Sequence, residues 1–200
     1  DGVDYPVQFR SDIPVVQTGV LGSISSELNL CAGTGGKDGL LKFRNMYSLL
    51  KIEIQHPSAA KLVVKCAGGK YLSGPFSFYA VDTDSDYDFD GFYVRQRGGA
   101  SGSVTLLPPS GEKTFPSGVY YMVVLPDLCG GTLDVSVYDG REIVVDVKQV
   151  VLPAELERSG VVDLGSVIYD GIDRRFSAKL ETAEELAVSW QSEKSILMMT

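Results

Sequence analysis

The chain holds one histidine and three cysteines in 200 residues, so the side chains that most often ligate metals or carry nucleophilic chemistry are scarce. Cys31, Cys66 and Cys129 form no CxxC pair and have no second ligand cluster, which argues against a zinc site. Cys66 ends an apolar run, and free cysteine packs as a small hydrophobe. Three buried thiols are therefore expected in preference to one disulfide and a leftover thiol. His56, followed by Pro57, would have to be the base of any Ser-His-Asp or Cys-His mechanism; with no GxSxG elbow in the chain it reads as a turn histidine. The glycine-rich stretch Cys31–Gly39 lacks the Lys-Ser/Thr ending of a phosphate-binding loop and reads as a loop. Carboxylates are plentiful, but nothing places two of them across a glycosidic bond. No enzyme activity and no cofactor is expected.

Positive charge is short as well. Lys and Arg number 18 against 26 Asp and Glu, a net charge of −8. Phosphate backbones are bound by clustered cations that release counterions, so nucleic acid is not an expected partner, and neither is an anionic membrane surface. No apolar run approaches the roughly 18 residues a spanning helix needs, so no transmembrane segment is expected. There is no initiator methionine and no signal peptide, and the chain is expected to be a mature or trimmed form. Convincing helices longer than about two turns are absent too; the one candidate, Ala183–Val188, is short.

What is present is alternation. Leu133, Val135 and Val137 alternate with Asp134, Ser136 and Tyr138, and Ile143, Val145 and Val147 alternate with Glu142, Asp146 and Lys148. Period-2 patterning puts each apolar set on one face of a pleated strand. Asp139-Gly140 between the two runs predicts a hairpin whose turn residues both take positive φ. Similar runs stand at Asp12–Thr18, Leu40–Phe43, Leu50–Ile54, Lys61–Cys66, Pro75–Val81, Phe92–Arg97, Ser103–Leu107, Val119–Leu125 and Val161–Val167. Asn45–Leu49 reads as a bulge or short helical turn between two of them. Spacing of about ten residues with Gly/Pro turns predicts an all-β sandwich or barrel with antiparallel sheets and little helix.

Two stretches carry chemistry worth weighing. Asp82, Asp84, Asp86, Asp88 and Asp90 recur at every second position, and their mutual repulsion is of a kind that Ca²⁺ relieves. Asp84, Asp86, Asp88 and Asp90 are the candidate metal ligands. Asp86-x-Asp88-x-Asp90-Gly91 matches the start of an EF-hand loop, but Arg97 stands where a bidentate Glu is required, so a solvated acidic edge that discourages sheet pairing is the favoured reading. Around the same loop Tyr87, Phe89, Phe92 and Tyr93 form a candidate ligand or partner surface, a sugar-stacking platform included, against the alternative that alternation sends half of such aromatics into the core. In the tail, Phe176, Ala178 and Leu180 alternate, followed by Leu186, Val188 and Trp190; these read as strands available for exchange.

At Leu41–Ile54, LKFRNMYSLLKIEI, the chain resembles the fimbrillin-like surface proteins of gut and oral Gram-negative anaerobes. Further pieces in the same order carry the resemblance: Asp4-Tyr5-Pro6, Ile13-Pro14 with Gln17, Lys61–Gly74, Gly118–Pro126 (GVYYMVVLP), Tyr138-Asp139-Gly140 and Leu156–Gly160. The resemblance implies a transthyretin-like Greek-key β-sandwich over residues 1–173. It also implies export to the cell surface or outer membrane from a lipid-anchored precursor. The role implied is that of a non-enzymatic pilus subunit or adhesin assembling by β-strand addition with other subunits or copies of itself, with host protein or glycan as further partners. A surface carbohydrate-binding module is the alternative. Residues 174–200 resemble the opening of such a domain, with Trp190 and Ile196 at the family's spacing and Glu193-Lys194 in place of its Gly-Asp. They would complete this sandwich, complete a neighbour's, or start a second domain. Completion within the same chain is the favoured expectation.

Overall fold

A computed structural model describes residues 8–35, 41–68, 70–80, 92–126, 131–152, 156–169, 189–191 and 196–198. In chain order the strands are β1 (Gln8–Ile13), β2 (Val16–Thr18), β3 (Cys31–Gly35), β4 (Leu41–Asn45), β5 (Ser48–Gln55), β6 (Lys61–Cys66), β7 (Gly74–Ala80), β8 (Phe92–Gln96), β9 (Ser103–Leu107), β10 (Gly118–Val124), β11 (Thr132–Tyr138), β12 (Val144–Val151), β13 (Val161–Ile168), β14 (Ser189–Gln191) and β15 (Ile196–Met198). A single 3-10 turn, Ser26–Leu28, is the helical element among the described residues.

The alternation in sequence becomes a stacked pair of sheets. One runs β12-β11-β6-β9-β2 and the other β10-β5-β13. β5 turns Leu50, Ile52 and Ile54 inward, β10 Tyr120, Met122 and Val124, β6 Leu62 and Val64, and β11 Leu133, Val135 and Val137; all join one buried cluster between the layers. Each such side chain withdrawn from water is worth about 1.5–3 kcal/mol, which drives the two faces together. The fold is an all-β sandwich, as the strand spacing predicts. Its sheets are mixed, however: β2 runs parallel to β9 and β13 parallel to β5. Parallel neighbours need long crossovers, and these pairs join segments far apart in the chain, beyond what local alternation announces.

Tyr120 anchors the sandwich from inside. Its hydroxyl donates to the Pro116 carbonyl at 2.7 Å, four residues upstream, and its ring meets Phe115 edge-on at 5.1 Å. A tyrosine bonded back in this way is a recurring corner of β-sandwiches. A second, smaller cluster lies beyond the three-stranded layer, where Ile13, Met46, Tyr47, Phe76, Val123 and Leu125 pack together. There β1, β7 and β8 form their own antiparallel sheet.

Several local expectations change. The glycine-rich stretch expected as a loop forms a strand, β3, paired with β4; the Phe43 ring lies over Gly33, where a Cβ would stand 2.7 Å from it. Glycine's missing side chain is thus covered by a cross-strand aromatic. The stretch Asn45–Leu49, expected as a bulge or helical turn, is a bend at Met46 and Tyr47 between β4 and β5. The cysteines differ too. Cys66 is in a disulfide and Cys31 is an exposed free thiol, while Cys129 lies outside the described residues.

The Asp139-Gly140 hairpin is real, but its turn chemistry is not the expected one. Neither Asp139 nor Gly140 takes positive φ; Glu142 does, at 62°. The Glu142 N–H donates to the Asp139 carbonyl at 3.1 Å, and the Asp139 N–H to Ile143 O at 2.9 Å. This is a type I turn closed by a bulge residue in the left-handed region. The buried Asp139 carboxylate holds it by accepting from the N–H groups of Arg141 (2.8 Å) and Ile143 (3.0 Å). Further along the ladder a separate irregularity, where Tyr138 faces Val144 but Val137 faces Asp146, shifts the register by one residue, so that Val135 faces Lys148 and Ser136 faces Val147. Lys148, and not Val147, therefore takes the core side of β12. Val147 is 64% exposed, the reverse of what its alternation with Lys148 suggests.

Candidate functional site

A sandwich of unequal layers has two open sides, and here they are treated differently. On the first, β2 ends the larger sheet and β10 the smaller. Gln17 of β2, 3% exposed, bridges them. Its Nε2 donates to the Val123 carbonyl at 2.7 Å, and the Val123 N–H donates to its Oε1 at 2.9 Å. A primary amide presents one donor and one acceptor in a plane, the pair a neighbouring strand would offer. Gly22 N–H donates to Val119 O, and Leu125 N–H to Leu72 O, each at 2.8 Å. The β10 edge is thereby occupied near its two ends, at Val119 and Val123, and just past it at Leu125.

The second side is built from β12 and β13, each the last strand of its sheet. Among the described residues β13 pairs with β5 alone. Between Asp163 and Ser166 it bulges: Gly165 sits at φ +78°, and its N–H donates to Asp163 Oδ1 at 2.8 Å. Asp163 also accepts from Lys51 Nζ at 2.7 Å. The Lys51 hydrogen bond and then the Gly165 N–H hold the Asp163 carboxyl below the ordinary carboxylate value. The pair is exposed, and pairs of that kind contribute little to stability.

Across the gap from β13 stands Lys148. Its position opposite Val135 turns it toward the interior, and its ammonium donates to Ser166 O at 3.1 Å. Desolvation lowers its pKa below the ordinary lysine value, with Asp146 and Asp163 pulling the other way. Val145, Val150 and Val162 around it are only partly buried, although they pack on the central core. An inward-pointing charge is one device by which sheets resist indiscriminate edge pairing. Among the described residues the seam offers main chain with no strand partner, half-covered valines, and Lys148 with Asp146 beside it on the inner face, opposite Val137.

The residues singled out by sequence are distributed as follows. Asp84, Asp86, Tyr87, Asp88, Phe89 and Asp90 lie outside the described residues, as do Phe176, Ala178, Leu180, Leu186 and Val188. Phe92 pairs with Ala80 and Tyr93 with Tyr79 in the β7–β8 ladder. Trp190 pairs with Leu197 in a separate two-stranded sheet, β14–β15. His56 Nδ1 lies 3.3 Å from the Ser58 N–H that donates to it, and its ring meets Tyr169 edge-on. Among the described residues no group of three or more His, Cys, Asp or Glu side chains is placed to hold a metal ion, and no helix is long and apolar enough to cross a membrane.

Sequence reasoning singled out neither Lys148 nor the role of Gln17. Gln17 belongs to the Ile-Pro…Gln pattern, but its partner is 106 residues away. The signal for Lys148 was the pair of doublets Val144-Val145 and Val150-Val151, which offer apolar residues in both phases of one strand. No protein-family model matches the chain, and no curated protein matches it either.

Proposed function

We propose that the protein is a non-enzymatic, fimbrillin-like subunit of the cell surface or outer membrane that joins its neighbours by β-strand addition, as a pilus component or adhesin. The observation that carries this reading is that, among the described residues, an edge without a strand partner stands together with a spare element. β13 ends a three-stranded layer opposite a five-stranded one, and β14–β15 is a hairpin that belongs to neither. A two-stranded hairpin is marginal in water by itself, so it is suited to joining a larger sheet. Added strands gain affinity from main-chain hydrogen bonds and register from pockets for alternate side chains. The Cys66 disulfide supports export, since such bonds persist in oxidising compartments.

Mass photometry and detergent-gel electrophoresis across a concentration series test the proposal. The full chain is expected to form concentration-dependent oligomers that survive mild detergent, and a chain ending at Asp173 is expected to stay monomeric and less stable. Equal stability and a monomeric state for both chains would sink it.

A further inference from the structure

The geometry points to a second copy of this chain as the occupant of the β12 edge, its own β12 paired antiparallel about a two-fold axis at Val147. This contact extends the larger layer and goes beyond strand addition at β13, which fills the edge of the smaller one.

β12 is the last strand of the five-stranded sheet, and among the described residues it pairs with β11 alone. Leu152 N–H donates to Gly131 O at 2.7 Å, one step beyond the Thr132–Val151 pair of that ladder. Antiparallel bonding alternates, so Val150 and Lys148 turn their main chain to β11, while Val151, Gln149 and Val147 turn theirs to the open edge. Side chains divide in the same way. Val147 and Val151 are 64% and 75% exposed on the outer face, and Asp146 and Lys148 are partly buried on the inner one. Exposed valines on a strand with open main chain are a template for another strand. The two inward charges restrict which strand is accepted, because covering an unpaired charge is costly.

β12 meets that restriction itself. With Val147 set opposite Val147, Asp146 of each copy stands opposite Lys148 of the other. One rotation pairs all four charges, the self-complementarity that a two-fold interface requires. The main chain agrees: the N–H and carbonyl of Val147 face the open edge, so the axial pair exchanges both hydrogen bonds. The Asp146–Lys148 pairs then fall at non-hydrogen-bonded positions, where cross-strand side chains lie closest. Lys148 Nζ keeps its bond to Ser166 O and has two further donors for the carboxylate. Centring on Gln149 instead sets Lys148 opposite Val150 and Asp146 opposite Leu152, so the charges select the Val147 register. A single strand pair is a small interface of the weak, transient class, read by trapping at high concentration and not by mass photometry of dilute samples.

Disulfide trapping in the full 200-residue chain tests this, with Cys31→Ser removing the exposed free thiol. Only a residue on the axis meets itself across the contact, and a hydrogen-bonded pair about 5.5 Å apart at Cα suits a disulfide. Val147→Cys is therefore expected to cross-link at least about tenfold faster than Gln149→Cys, each rate taken relative to that thiol's reaction with a small disulfide reagent. Adding Asp146→Lys to Val147→Cys sets lysines opposite each other and is expected to slow trapping about tenfold. Adding Lys148→Asp as well restores opposite charges and is expected to return the rate to within about threefold. The charge variants are read where the circular dichroism spectrum is kept; Val147→Cys, at an exposed position, carries the test without them. Equal trapping at the two positions, a charge reversal without effect, or a double swap that rescues nothing overturns the Val147-centred contact. Detergent-resistant oligomers without preferential trapping at Val147→Cys keep strand addition and remove this contact. Trapping at Val147→Cys in a chain that forms no larger oligomer keeps this contact and removes strand addition.

Discussion

At the scale of single residues, Asp139 concentrates the most structure in the least chain. At 5% exposure its carboxylate organises the turn that joins β11 to β12, beside the irregularity at Val137/Tyr138 that puts Lys148 and not Val147 on the inner face. Burial pushes the Asp139 carboxyl up, but the N–H groups of Ile143 and Arg141 and the Arg141 guanidinium outweigh it and leave the pKa below the ordinary carboxylate value. The direction fixes the pH behaviour. The unfolded chain takes up the proton more readily, so the turn's contribution is complete above about pH 4 and is lost as pH falls toward the folded pKa. Asp163, depressed by Lys51 and Gly165, acts in the same direction. Asp139→Ala is expected to cost about 2 kcal/mol at neutral pH by leaving two N–H donors without their acceptor. Asp139→Asn keeps an acceptor and is expected to flatten the acid limb of the stability curve. Urea unfolding between pH 3 and 7 reads both; an unchanged acid limb in Asp139→Asn would show that this carboxylate does not titrate with folding.

At the scale of elements, Gln17 acts as a one-residue strand. Its amide satisfies the Val123 N–H and carbonyl, and Val123 lies in the smaller core cluster. Gln17→Met keeps the volume and removes both bonds, and an orphaned buried group costs about 1–3 kcal/mol. A loss of about 2–4 kcal/mol in unfolding free energy is therefore expected. Amide exchange at Val123 should accelerate with it, and an unchanged midpoint with unchanged exchange would remove Gln17 from its role as a lock. Elements with one apolar phase were legible in sequence: β5, β6 and β11 bury the residues their alternation predicts. β12 was not, because Val144, Val147 and Val151 compete with Val145 and Val150 for the inner face, and a bulge at the Val137/Tyr138 step decides between the phases. β3 was missed because its glycines carry no β propensity; its pairing to β4 and the Phe43 ring supply what the residues lack. Of the site, the spare apolar tail was legible and the acceptor was not, since Lys148 and Ser166 meet only once two sheets have stacked.

At the scale of the molecule, the sandwich is held by one continuous core and one covalent tie. The core spans both layers, whereas the parallel pairs β2–β9 and β5–β13 join segments distant in sequence. Long-range pairing of this kind is entropically slow to form, and an unfolded chain free of cross-links has the most conformations to lose. The Cys66 disulfide restricts that ensemble at the end of β6, beside the residues that pair with β11. Breaking it is expected to lower the unfolding free energy by about 2–4 kcal/mol, chiefly by enlarging the unfolded state. Because a looser unfolded state exposes more surface, the urea dependence should steepen as the midpoint falls. The comparison is made with the Cys31 thiol first blocked, so that only the disulfide responds to reductant. Cys66→Ala should reproduce the reduced midpoint to within about 1 kcal/mol, the residue of its own buried sulfur. Reduction that moves neither midpoint nor slope would assign the sandwich's stability to its two packed faces alone, with the cross-link a mark of compartment and not a support of the fold.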